Sequence, residues 1–189
     1  MKKLFVLLVL ISNFVFSQKF ILTPQNLVNA EDNTKNYVIL EFPEKKQAEL
    51  FKSAKLYFNT LYNNPKYVSS EVENEQIALN AVSKSVIKLK GMLKFDVSYN
   101  SIISFKDGKV KVELSIKKFE RYTPVTTYGG GYEDQGIIGF DIGLSKTGIF
   151  NSKGKLINEK GKETTEEFAN NFVNNLKEAI IKNNSGSDW

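Results

Sequence analysis

From Leu93 to Ile116 the chain alternates apolar and polar residues about a single turn. Leu93, Phe95, Val97, Tyr99, Ile103 and Phe105 hold the odd positions, and Lys94, Asp96, Ser98, Asn100 and Ser104 the even ones. After Asp107-Gly108 the pattern resumes, with Val110, Val112, Leu114 and Ile116 set between Lys109, Lys111, Glu113 and Ser115. A period of two sends every second side chain to the same face of a strand. Asp-Gly between two such runs is a strong hairpin signal. The pattern therefore demands an antiparallel sheet with one face in oil and the other in water. Ser101 and Ile102 break the sequence of residue types and predict a bulge or bend at that point.

The rest of the chain must cover the apolar face. Two segments have the period to do so. In residues 44–62, Phe51, Ala54, Phe58 and Leu61 recur at three- and four-residue steps, with Leu50 and Tyr57 widening the stripe. Pro43 suits a first helical position, and Asn63-Asn64-Pro65 a stop. Near the end, Thr164-Thr165-Glu166-Glu167 reads as a capped helix start. Phe168, Phe172, Leu176 and Ile180 then recur every four residues. Shorter strand signals are Lys19–Thr23, Tyr37–Phe42, Tyr67–Glu73, Gln76–Ser83 and Ser85–Lys90, the last extending its predecessor or crossing over. Residues 24–36 read as a loop and 183–189 as a frayed tail. Residues 120–161 are rich in glycine, including Gly129-Gly130-Gly131. A structureless connection of that length is uncommon unless it is functional, mobile or folded onto the body. The expectation is an α+β domain over 18–182, an antiparallel sheet with two helices on one face, carrying a Gly-rich insert.

Residues 1–17 read as a secretory leader: Lys2-Lys3, an apolar run from Leu4 to Ile11, Phe14-Val15-Phe16, then small Ser17 before polar Gln18. The run is too short and too interrupted for a membrane span of about 20 apolar residues. Gln rather than Cys follows the cut, which argues against a lipoprotein. The expected address is therefore periplasmic or extracellular. Roughly 170 residues would remain, one domain's worth at about 100–200 residues each. An exported chain has access to disulfides, yet this one has no cysteine, so its core must suffice alone.

The segment from Tyr37 to Ser115 resembles a small exported bacterial family of unknown function whose fold is like that of the TATA-box-binding protein. The similar marks are Glu41-Phe42-Pro43, Asn63-Asn64-Pro65-Lys66, Glu73 to Ile77, and Phe105 to Lys109. Each marks a turn or a helix end. The resemblance implies the strand order β-α-β-β-β-β-α and a TBP-like architecture. It brings no activity, cofactor or binding residue with it, and it says nothing of the Gly-rich insert.

Chemistry is bounded by missing residue types. With no histidine and no cysteine, Ser–His and Cys–His nucleophile pairs are impossible. Ser83-Lys84, Ser145-Lys146 and Ser152-Lys153 are chance neighbours in a Lys-rich chain. A metal site would have to use hard oxygen ligands alone, and no calcium-loop spacing occurs. Gly129-Gly130-Gly131 lacks the following Gly-Lys-Ser/Thr of a phosphate loop. No catalytic residue, cofactor or metal is therefore expected. Formal net charge is +5, two units of which, Lys2 and Lys3, belong to the leader. Arg121 is the sole arginine, which disfavours nucleic acid as a partner, because phosphate and guanine readers favour the arginine fork. The reading that remains is a non-enzymatic module binding a protein or an envelope-surface ligand. Two contact regions are candidates. One is the insert with Tyr122, Tyr128 and Tyr132. The other is the wet face of the sheet, where Lys88, Lys90, Lys94, Lys106, Lys109 and Lys111 are placed by alternation. The alternative is a carboxylate-dependent hydrolase of glycans or other envelope polymers using Glu133, Asp134 or Asp141.

Overall fold

The computed structural model describes residues 18–89, 93–126, 129–139, 141–142 and 145–184. Residues 1–17, which the sequence reads as a leader, Lys90, Tyr128 and residues 185–189 lie outside the described set. In chain order the elements are β1 (Phe20–Leu22), β2 (Leu27–Asn29), β3 (Tyr37–Glu41), α1 (Gln47–Leu61), α2 (Pro65–Val68), β4 (Ser69–Val72), β5 (Gln76–Leu89), β6 (Leu93–Lys106), β7 (Lys109–Thr126), β8 (Gly129–Gln135), β9 (Asp141–Ile142), β10 (Ser145–Lys146) and α3 (Glu159–Asn184). The main sheet has six strands in the order β3-β7-β6-β5-β4, with β8 also on β7. Its pairings are antiparallel. Strands β3 and β8 share one edge of β7: β3 pairs with Lys109–Glu113 and β8 with Phe119–Thr126.

The alternation in β6 and β7 does what it predicts. Phe95, Val97, Ile103, Val110 and Val112 are wholly buried beneath the two long helices. Helix α1 turns Leu50, Phe51, Ala54 and Phe58 inward, and α3 adds Ala169, Phe172, Val173, Leu176 and Ile180. Ring contacts tie the helices to the sheet and to each other: Phe51 meets Phe105 of β6 edge-on at 5.5 Å, and Phe58 of α1 stacks on Phe172 of α3 at 6.1 Å. Each such side chain contributes about 1.5–3 kcal/mol on leaving water, so the core needs no covalent staple.

Several local expectations are corrected, each by a tertiary contact. Helix α1 begins at Gln47, not at Pro43. The β6–β7 turn reaches over and holds the preceding residues: Phe42 N–H donates to Gly108 O at 2.7 Å, and Gly108 N–H to Lys45 O at 2.9 Å. Asp107 then caps the helix from outside, its Oδ1 accepting from Gln47 N–H at 2.9 Å. Pro65 opens the one-turn helix α2 instead of merely ending α1, so Tyr67 is helical and not the start of a strand. The predicted bulge at Ser101-Ile102 is absent, since both keep their alternate faces. Ser101 is buried with its hydroxyl donating to Glu113 O at 2.7 Å, and Ile102 faces outward. The register shift falls instead between Ser98 and Tyr99 against β7. A second shift lies between Ser83 and Ile87, within one continuous β5. There Ser85 has φ 55°, held by the Asp96 carboxylate, which accepts its N–H at 2.8 Å.

The loop read into residues 24–36 contains β2, which pairs with β1. This hairpin fills the gap on β7 between β3 and β8. Asn26 does so with one carboxamide: Nδ2 donates to Ile116 O and Oδ1 accepts from Ile116 N–H, both at 2.9 Å. The Gly-rich stretch is no structureless loop either. Strand β7 continues to Thr126, β8 returns along it, and Ile137, Ile149 and Phe150 are buried. Helix α3 starts a turn earlier than Thr164, at Glu159. Asn158 caps it, Oδ1 accepting from Gly161 N–H at 2.8 Å. Thr164 and Thr165 are buried inside the helix, their hydroxyls donating to Lys160 O and Gly161 O. The helix also includes Asn183, which the sequence placed in the tail.

Candidate functional site

The long helices lie on one face of the sheet, and the opposite face carries the even-numbered residues of β6. Cross-strand register arranges that open face in rows. One row is Asn80, Asn100 and Ser115, contributed by β5, β6 and β7. The next is Ser70, Ala78, Ile102 and Glu113. Flanking rows hold charges that satisfy one another. Lys111 pairs with Glu113, and its ammonium sits 5.5 Å from the Tyr37 ring centre. Lys118 pairs with Glu120 at 2.7 Å and Asp134 at 3.3 Å. Lys84 pairs with Asp96 at 2.8 Å. The Lys118 ammonium, followed by the Ser98 hydroxyl, holds the Glu120 carboxyl below the usual carboxylate range.

Two shallow cavities flank the central rows, of about 350 Å³ toward α2 and β4 and about 200 Å³ toward the β1–β2 hairpin. Asn100 and Ile102 line both. Tyr67 of α2 rims the larger one and is 86% exposed. Among the described residues, Asn100 Oδ1 is the buried side-chain atom without a hydrogen-bond partner. A sealed acceptor without a donor costs about 1–3 kcal/mol, and natural folds keep few of them. Asn100 therefore weakens the fold at the middle of its open face.

The predicted contact lysines do not form one patch. Lys94 lies at the start of β6 and Lys109 faces Lys106 at its end, 12 residues farther along the strand, or about 40 Å. Lys94 is the cross-strand neighbour of Lys88, and Lys106 that of Lys109. Lys88 and Lys94 line a cavity of about 460 Å³ between α1, α3 and β5. Its aromatic wall is structural. Tyr99 is 1% exposed, packs edge-on against Phe168 and Phe172, and shares a 2.7 Å hydroxyl contact with Tyr62. Burial, reinforced by Tyr99, pushes the Tyr62 phenol upward.

Of the three tyrosines, Tyr122 is exposed on β7, and Tyr132 is its register partner on β8. Glu133 and Asp134 are successive strand residues and point to opposite faces. Asp134 bonds Lys118 at 3.3 Å, while Glu133 accepts from Gln135 Nε2 at 2.9 Å. Asp141 belongs to β9, which pairs with β10 outside the main sheet. The sequence marked Asn100 and Ser115 as outward polar positions but gave no sign that they meet each other or Asn80. That depends on strand register.

No family model matches the chain, and no curated protein matches it in sequence. Among solved structures, it is similar to a TBP-like protein from Parabacteroides distasonis, with a TM-score of 0.53 at 16% identity over 77% of this chain and 90% of that one. A DUF4468 family protein from Bacteroides ovatus is also similar, with a TM-score of 0.48 at 18% identity over 80% of this chain and 88% of that one. The first likeness establishes the fold as TBP-like. No described helix is long and apolar enough to cross a membrane.

Proposed function

We propose that the chain is an exported, non-enzymatic module that holds a protein or an envelope-surface ligand on the open face of its sheet. The observation that carries this reading is the orphaned Asn100 acceptor, set at the centre of a face that neither long helix covers. Residues that break folding rules without a structural return are expected where function lies. The hydrolase alternative loses its nearest pair, because Glu133 and Asp134 diverge across the sheet. Export has support in the leader pattern of residues 1–17. Gln18 Oε1 accepts from Ile39 N–H at 2.6 Å and from Asn29 Nδ2 at 3.3 Å. Cleavage after Ser17 leaves this contact in place.

The test is crosslinked affinity capture with the tagged chain in its native envelope, together with N-terminal sequencing of the mature form. The reading expects a mature start at Gln18 and a recurrent captured partner that Ile102→Lys abolishes. Undiminished capture by the folded Ile102→Lys protein removes the open face from consideration. Retention of residues 1–17 removes export by a cleaved leader.

A further inference from the structure

We infer that the ligand of the open face is an uncharged glycan, taken across the row Asn80, Asn100 and Ser115 with the Tyr67 ring as its stacking platform. This rests on the reading of that face as the binding surface and adds the chemistry of what it holds. Three observations converge. The row is made only of carboxamides and a hydroxyl, spaced by the inter-strand distance of about 4.8 Å. That spacing is close to the width of one pyranose ring, whose hydroxyls both donate and accept. Beside the row stands Tyr67, an aromatic ring 86% exposed at the rim of a cavity that Asn80 and Asn100 also line. Asn100 Oδ1 wants a donor. A turn of its carboxamide about the Cβ–Cγ bond presents that oxygen to a sugar hydroxyl and ends the cost of leaving it unpaired.

The surroundings disfavour other ligand classes. A polyanion needs unopposed positive charge, yet Lys111, Lys118 and Lys84 around this row are each paired with acids, and the neighbouring Lys106 and Lys109 stand six residues farther along β6 than Asn100, about 20 Å away. An extended peptide docks by its backbone along a free strand edge. Much of that edge is closed by side chains: Gln18 accepts from Ile39 N–H, Asn29 Nδ2 donates to Tyr37 O, Asn26 clamps Ile116, and Thr164 accepts from Lys88 N–H. A peptide on the outer edges of β4 (Ser69–Val72) or β8 (Gly129–Gln135) would leave this row unused; the sheet face itself recognises its ligand through side chains. Those in its central row are uncharged hydrogen-bonding groups.

The experiment is isothermal titration of the chain from Gln18 onward with maltohexaose, xylohexaose, mannohexaose and chitohexaose, with heparin as the polyanionic control. At least one neutral oligosaccharide is expected to bind with an affinity indifferent to salt. Tyr67→Ala is expected to weaken it by about tenfold, the size of a lost aromatic stacking contact, and Asn100→Ala by a similar factor. Tyr67 is too exposed for its loss to unfold the chain, so that variant keeps the test valid if Asn100→Ala folds poorly. Binding of heparin alone, binding of no neutral oligosaccharide, or wild-type affinity in Tyr67→Ala overturns the inference. If envelope capture is lost with Ile102→Lys while no oligosaccharide binds, the glycan is refuted and the binding reading stands. If capture also fails, both fall.

Discussion

Asn26→Ala tests how the sheet edge is completed. Between its partners β3 and β8, strand β7 leaves the N–H and C=O of Ile116 facing outward, and Ile116 is 4% exposed. A single carboxamide satisfies both groups at 2.9 Å and also accepts from Leu27 N–H at 2.9 Å. Removing it deletes three hydrogen bonds, each worth about 1 kcal/mol net, and leaves two poorly hydrated backbone groups that cost about 1–3 kcal/mol apiece when sealed. Some water enters through the space the carboxamide vacates, so the expected loss is about 3 kcal/mol. For a chain of this size that lowers Tm by about 6–12 °C. Thermal and urea unfolding of the purified variant should be compared with Gln25→Ala, an exposed change in the same turn. If Asn26→Ala and Gln25→Ala unfold together, Ile116 is satisfied by solvent, and the β1–β2 hairpin is an ornament of the sheet edge and not its plug.

Two further outcomes follow from named contacts. Gln47 N–H, followed by the Lys46 ammonium, lowers the pKa of Asp107. A depressed folded value means that the linked stability is present above the unfolded value of about 3.9 and is lost as pH falls through the folded one. The urea midpoint of the native chain should therefore drop more steeply between about pH 5 and pH 2 than that of Asp107→Asn; parallel curves would show that the turn does not cap α1 by charge. A Cβ on Gly139 would stand 1.4 Å from the Thr147 carbonyl oxygen, whereas one on Gly131 meets nothing within 4 Å. Gly139→Ala should cost about 3 kcal/mol or more through overpacking and Gly131→Ala almost nothing, read as Tm; equal shifts would mean that the segment bearing Ile137 and Ile149 is not locked onto the core.

That last contrast decides among the readings left open for the Gly-rich stretch: it is folded onto the body. Glycine is frequent in loops, but Gly139 and Gly148 serve here because two backbones pass too closely for side chains, Gly148 at φ 81°. The sequence signal for a loop and for a tight backbone crossing is the same. Tyr67 was misread for a related reason: a β-rich composition outweighed the tendency of Pro65 to begin a helical turn. The polar row on the open face was illegible because Asn80, Asn100 and Ser115 come from three strands and meet only through pairing.

The chain's own pattern determined which residues go to oil and which to water. Period two in β6 and β7, period near four in α1 and α3, and Asp107-Gly108 between strands are local facts, and they dictate a sheet covered on one side. Tertiary structure decided everything that depends on distant segments meeting: where α1 begins under the Asp107 carboxylate, how β3, Asn26 and β8 divide one edge of β7, and which polar side chains stand in line across the open face. Local periodicity carries no record of register, and register is set by the summed packing of the whole core.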